Sequence, residues 1–238
     1  VFELPFMMTD PVSTAKAYWE MVDTDLQDSE YQDVKVLGAW VHGPGLIHSG
    51  SGVAKLEDLQ GMKMRGPTRI INDLISELGA VPVGMPVPAI PEALSKGVVD
   101  ATVIPWEVVG ALKVSELVKN HTEFPGDALY TTTFLFAMNK EKYESLPDDL
   151  KKVIDDNSGT ALAQKIGKLW DEAEVPGRKA AADLGDAFHT IEGAELARWQ
   201  EATAGVAETW IAEMDKAGKN GQALIDDAKA LIAKYAGE

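Results

Sequence analysis

Among the polar side chains of this sequence, one stands where it could hold a ligand. Arg65 ends the stretch Leu59–Pro67 (LQGMKMRGP) and is surrounded by Met62, Met64, Pro67 and Ile70. A guanidinium in apolar surroundings needs a partner, because an unpaired buried charge is costly. Its planar fork matches a carboxylate through two parallel N–H···O bonds, which are stronger than neutral hydrogen bonds. The partner is either a ligand carboxylate or an Asp or Glu of the chain itself; the third reading is a solvated strand end. Trp106, after Ile104-Pro105, is either a wall of a ligand pocket or a core tryptophan. Thr131, Thr132 and Thr133 alternate on a strand, so one face offers hydroxyls to a cleft, and Thr131 is the candidate taken.

Other chemistries lack their residues. His42, His48, His121 and His189 form no HExxH or HxH pattern, and no two share a helix face, so neither a metal site nor a catalytic triad is expected. No G-x-S-x-G motif, P-loop or dinucleotide fingerprint occurs. With no cysteine, disulfides, thiol catalysis and cysteine-ligated metals are excluded. No catalytic residue, metal or cofactor is therefore assigned. The 38 acidic against 22 basic residues leave a formal net charge of -16, which would repel nucleic acid and anionic membranes. It does not forbid an anionic ligand, because charges beyond a Debye length of about 8 Å are screened and a local arginine dominates. No apolar run reaches the ~18–20 residues that span a bilayer.

The elements that must position Arg65 are legible in order. Asp10-Pro11 starts a helix reaching about Leu26, and Val34–Val41 reads as a buried strand. Leu46–Ser49 is a short strand and Leu56–Leu59 a one-turn helix. Arg69–Leu78 is a helix closed by Gly79. Residues 80–85, the helix Glu92–Lys96 closed by Gly97, and the strand Asp100–Ile104 complete a β-α-β-α-β pattern over residues 60–105, an α/β unit with a largely parallel sheet. Ligands sit beyond the carboxyl ends of strands in such sheets, where Arg65 and Ile104 to Trp106 lie. Glu107–Ala111 begins another helix, Val114–Lys119 approaches or forms a strand, and residues 121–127 read as a loop. Ala128–Asn139 reads as one long strand. Beyond Asp148 the chain is nearly all helix: Leu150–Asp183 interrupted at Pro176-Gly177, a brief strand at Phe188–Ile191, then Glu195–Ala217 and Gly221–Ala236.

The segments VFELPF, KLEDLQGMKMRGP, LGAVPVGMP, EALSKGVVDATVIP and YESLPDDLKKVIDDNSG, in this order and spacing, resemble the solute-binding proteins of tripartite ATP-independent periplasmic (TRAP) transporters, the DctP-like family. The resemblance runs along nearly the whole chain. It implies a two-lobed α/β periplasmic binding protein (type II-like) with crossing strands and a long connecting helix, closing on its ligand like a clamp. Lobe I would comprise residues 1–42 and 129–165, and lobe II residues 43–128 and 166–238. Val1–Phe6 begins inside an apolar pattern without an initiator Met, and the family's first lobe starts earlier, so the expectation is an N-terminally incomplete lobe I.

In this family the arginine of the K-x-R strand pairs with the substrate carboxylate; here that position is Arg65. Family members often carry Asn before the proline that ends the Gly97–Pro105 segment; here it is Ile104. Sialic-acid-binding relatives place an aromatic residue near the position of Val87. Both departures make the pocket less polar and point to a small monocarboxylate with an apolar or aromatic body, contacting Arg65, Pro67, Val87, Ile104, Trp106 and Thr131. The implied role is periplasmic capture of that acid for TRAP permease subunits, with no nucleic acid as partner. The alternatives are an α/β enzyme acting on a carboxylate, which lacks a visible nucleophile, and a ligand sensor for a signalling receptor.

Overall fold

The computed structural model describes residues 1–237. Helix α1 (Pro11–Met21) starts as its sequence predicts, with Asp10 Oδ1 accepting the Ser13 N–H at 2.8 Å and Pro11 in the first turn. A wider helical turn, Val22–Leu26, extends it. Strands β1 (Val34–Val41) and β2 (Leu46–Ser49) follow, then a single helical turn at Leu56–Leu59. Next come β3 (Lys63–Gly66), α2 (Arg69–Glu77), β4 (Val81–Gly84), α3 (Ile90–Ser95), β5 (Ala101–Ile104) and α4 (Trp106–Leu112). Thr68 caps α2, accepting the Ile71 N–H, and Gly79 closes it at φ +86°, a conformation that glycine adopts without a Cβ penalty.

The second half contributes β6 (Asn120–Glu123), β7 (Thr133–Asn139), α5 (Lys140–Glu144), α6 (Asp148–Asp156), α7 (Thr160–Asp183), β8 (Ala187–Thr190), α8 (Gly193–Ala202), α9 (Ala204–Lys216) and α10 (Gly221–Ala236). A mixed six-stranded sheet has the order β4-β3-β5-β2-β6-β8. β3 is parallel to both β4 and β5, as the β-α-β-α-β reading requires, while β2 is antiparallel to β5 and β6. A separate antiparallel pair joins β1 to β7, with Val34 opposite Asn139 and Val41 opposite Thr133. The fold is α/β. The long helix α7 packs against α1 and β1 at one side and α4 at the other, so it ties the strand pair to the large sheet. Residues 166–238 do not all stay with the large sheet: β8 is its edge strand and α9 packs on α2, whereas α10 packs on α1.

Four expected elements differ. Residues 114–119 are not a strand: Val114–Glu116 is a 3-10 turn after Lys113, which has φ +54°. The strand is Asn120–Glu123, inside the expected loop, because its partners β2 and β8 are distant in sequence. The strand expected over 128–139 is regular only from Thr133. Its first part crosses beside residues 42–45, with His42 N–H donating to Thr132 O (3.3 Å) and Gly45 N–H to Tyr130 O (2.9 Å). The helix expected over 150–183 breaks at residues 157–159, where Gly159 has φ +77°, and runs unbroken through Pro176. Gly177 is there for proximity: a Cβ at this position would collide with the backbone carbonyl of Trp106 in α4. The helix expected over 195–217 divides at Thr203.

Candidate ligand site

Arg65 is at the C-terminal end of β3, the strand flanked by β4 and β5, and only 2% of its surface is exposed. Its flanking strands hold it. Nε donates to Met85 O, just past β4, at 3.0 Å, and Nη1 donates to Val103 O of β5 at 3.3 Å. These occupy two of the five N–H groups of a guanidinium. Among the described residues no carboxylate lies within 4.0 Å of Arg65, so the ion pair within the chain that the sequence left open is not formed. Burial pulls its pKa down, the signature of a charge without a counter-ion.

The cavity in front of Arg65 has a volume of about 470 Å³, within the ~300–1,000 Å³ usual for small-molecule sites. Of the residues the sequence analysis names, Pro67, Val87 and Ile104 line it with Arg65. Its other wall is aromatic: His42, Tyr130, Phe134 and Trp170. The Phe134 and Trp170 rings are 5.5 Å apart, His42 meets Tyr130 edge-on at 5.5 Å, and Trp40 stacks behind Phe134. His42 is neutral at pH 7. Burial, reinforced by the charge of Arg65, lowers its pKa to about 4, and its Nδ1 donates to Gly43 O at 2.5 Å. Burial raises the Tyr130 phenol, which therefore stays protonated.

Two expected contacts are not at the cavity. Trp106 is 3% exposed and packs within the large-sheet lobe against His48, His121 and Phe188, with its Nε1 donating to Glu123 Oε1 at 3.0 Å. One helical residue turns the chain by about 100°, so the next two residues of α4, Glu107 and Val108, face the cavity instead. Thr131 is fully buried, and its hydroxyl donates to His42 O at 2.9 Å. The cavity takes Tyr130, Thr132 and Phe134, the opposite parity of the extended chain. Sequence reasoning named that face as an option and chose the wrong register. Trp170 was missed altogether; a lone tryptophan on a long helix gives no signal of what it faces.

Two of the four histidines, His48 and His121, converge away from the cavity. His48 Nδ1 is 2.8 Å from His121 Nδ1, and His121 Nε2 is 3.0 Å from Asp186 Oδ2. All three are buried beside Trp106, and no cluster able to hold a metal occurs among the described residues.

The bacterial extracellular solute-binding protein family 7, DctP, matches residues 1–213. This chain belongs to that family. DctP proteins are binding proteins rather than enzymes, and solved structures similar to this one are TRAP solute-binding proteins. One, from a marine metagenome (an unidentified microbe), is described as specific for aromatic acid ligands and was solved with metahydroxyphenylacetate. It is 50% identical, with a TM-score of 0.95, over 98% of this chain and 74% of that one. Another, from Rhodoferax ferrireducens T118, was solved with copurified benzoate; it is 44% identical, with a TM-score of 0.96, over 99% of this chain and 74% of that one. Among curated proteins, the outer membrane transporter protein TsaT of Comamonas testosteroni is 28% identical over 98% of this chain and 69% of its own length. No helix among the described residues is long and apolar enough to cross a membrane.

Proposed function

We infer that this chain captures a small aromatic monocarboxylate in the periplasm and delivers it to TRAP permease subunits, with Arg65 pairing to the ligand carboxylate. The observation that carries this reading is a buried arginine without a counter-ion, opening onto a cavity walled by His42, Tyr130, Phe134 and Trp170. An aromatic ring would stack in the offset or edge-on arrangements these rings already use, while its carboxylate meets the unoccupied N–H groups of Arg65. Pro67, Val87 and Ile104 cover the ring's other side. The ligands of the two solved relatives, metahydroxyphenylacetate and benzoate, have this chemistry, and the metagenome protein was also solved with 3-hydroxybenzoate.

Closure of two lobes would exclude water and strengthen the ion pair. The lobes are read as residues 1–42 and 129–165 together with α10, which packs on α1, against 43–128 and 166–220. A thermal-shift screen of carboxylates tests the function. Benzoate and the hydroxybenzoates should raise the melting temperature, and succinate and glucuronate should not. Stabilisation by the aliphatic acids alone would reject the aromatic assignment.

A further inference from the structure

Behind the cavity wall two carboxyl groups face each other, and neither has a cationic partner. Glu107, in the first turn of α4, lines the cavity, and neither of its carboxyl oxygens receives a donor N–H or O–H. Glu174, on α7, takes the backbone N–H groups of Trp106 (3.2 Å) and Glu107 (3.3 Å), so its charge is stabilised by the start of α4. Gly43 makes room for it, since a Cβ there would overlap the Glu174 carboxyl. Two adjacent buried carboxyls do not both ionise. Burial raises the Glu174 carboxyl too, but the Glu107 hydrogen bond and the two backbone N–H groups pull it back down, so of the two Glu174 is the one that holds the charge. Glu107 has no such donors; burial, then the hydrogen bond to Glu174 and its charge, push Glu107 far up, and it stays protonated. Among the described residues Arg65 is the only cationic one lining the cavity.

We propose that the Glu107–Glu174 pair, with Glu107 at the cavity wall and Glu174 set behind it on the backbone of α4, is the specificity determinant that admits monocarboxylates and rejects dicarboxylates. The inference rests on the reading of Arg65 as the carboxylate anchor. With the first carboxylate on Arg65, a second has no cation to meet and approaches a fixed negative charge instead. Discrimination by a repulsive element of this kind works without any contact to the accepted ligand.

The test uses calorimetry on the whole chain with three sets of probes: benzoate, the three benzenedicarboxylates as dianions, and the monomethyl esters of those diacids. The esters have the size of the diacids and a single charge. Wild type should bind benzoate about a hundredfold more tightly than any dianion, and at least one ester more than about tenfold better than its own diacid. Glu107→Gln, which leaves the charge on Glu174, should keep this discrimination. Glu107→Gln combined with Glu174→Gln should lose at least about tenfold of it. Rejection of esters and dianions alike, or dianions bound as well as benzoate, overturns the proposal. So does a double variant that binds benzoate with undiminished discrimination. If wild type binds no aromatic carboxylate at all, the anchor reading fails first and this one with it; if benzoate binds without charge discrimination, only this one fails.

Discussion

Replacing Arg65 by methionine separates a ligand anchor from a structural residue. In the free protein the arginine is 2% exposed, donates to Met85 O and Val103 O, and has no carboxylate partner. Arg65→Met removes the desolvation cost of an unpaired charge. It also strips two carbonyls of a donor, at about 1–3 kcal/mol each where they stay buried. These effects oppose one another, so the melting temperature of the free protein should change little. Binding should respond differently. Truncating one partner of a buried, hydrogen-bonded charge pair costs about 2–5 kcal/mol, or roughly 30- to 4,000-fold in affinity at about 1.4 kcal/mol per decade. Titration calorimetry with benzoate reads this directly. Thermal shift reads it a second way, since ligand at 100 times its Kd stabilises by about 2.7 kcal/mol and the variant should show almost none of that. Arg65→Lys, with charge but no fork, should fall between. Benzoate affinity within threefold of wild type for Arg65→Met, in a protein that melts normally, would refute the anchor role.

The aromatic wall predicts that Trp170→Ala and Phe134→Ala each weaken benzoate by about 1–3 kcal/mol while affecting acetate far less; equal losses for both acids, by calorimetry, would remove the ring-stacking argument. Gly177→Ala should lower stability by about 1–3 kcal/mol in urea denaturation, because the new methyl meets the Trp106 carbonyl where α7 crosses α4; an unchanged midpoint would mean the helices can separate at no cost. His42 has its pKa lowered to about 4 against about 6.5 when unfolded. Above pH 6.5 both states leave it neutral and its contribution is fully present. As pH falls below 6.5 the unfolded chain takes up the proton and the folded one does not, so stability drops by at most about 3 kcal/mol by pH 4. The melting temperature of His42→Phe should therefore fall less between pH 7 and pH 4.5 than that of wild type, and parallel curves would contradict a buried neutral imidazole.

The local rules of the sequence carried far. Asp10-Pro11 and Gly79 mark helix ends by side-chain and backbone chemistry that acts within a turn, and each stands where that chemistry places it. The alternation of strands and helices over residues 60–105 was enough for a parallel unit, and it put Arg65 at the carboxyl end of a strand. Misreadings came where the deciding partner is remote. Strand β6 exists because β2 and β8 flank it, and Pro176 is tolerated inside a helix that other elements hold on both sides.

What the sequence by itself determined is most of the elements, the family resemblance and the place of Arg65 at a strand end, all of which depend on neighbours within a few residues or on segment order. The tertiary structure decided which faces meet. It turned Trp106 into the core and Glu107 to the cavity, selected Thr132 over Thr131, brought Phe134 and Trp170 opposite Arg65, and set Glu174 against Glu107. Those are matters of phase, the angle at which a helix or strand is laid down. Phase is set by packing against elements up to 100 residues away or more, such as Arg65 and Trp170, and it leaves no trace in the local pattern.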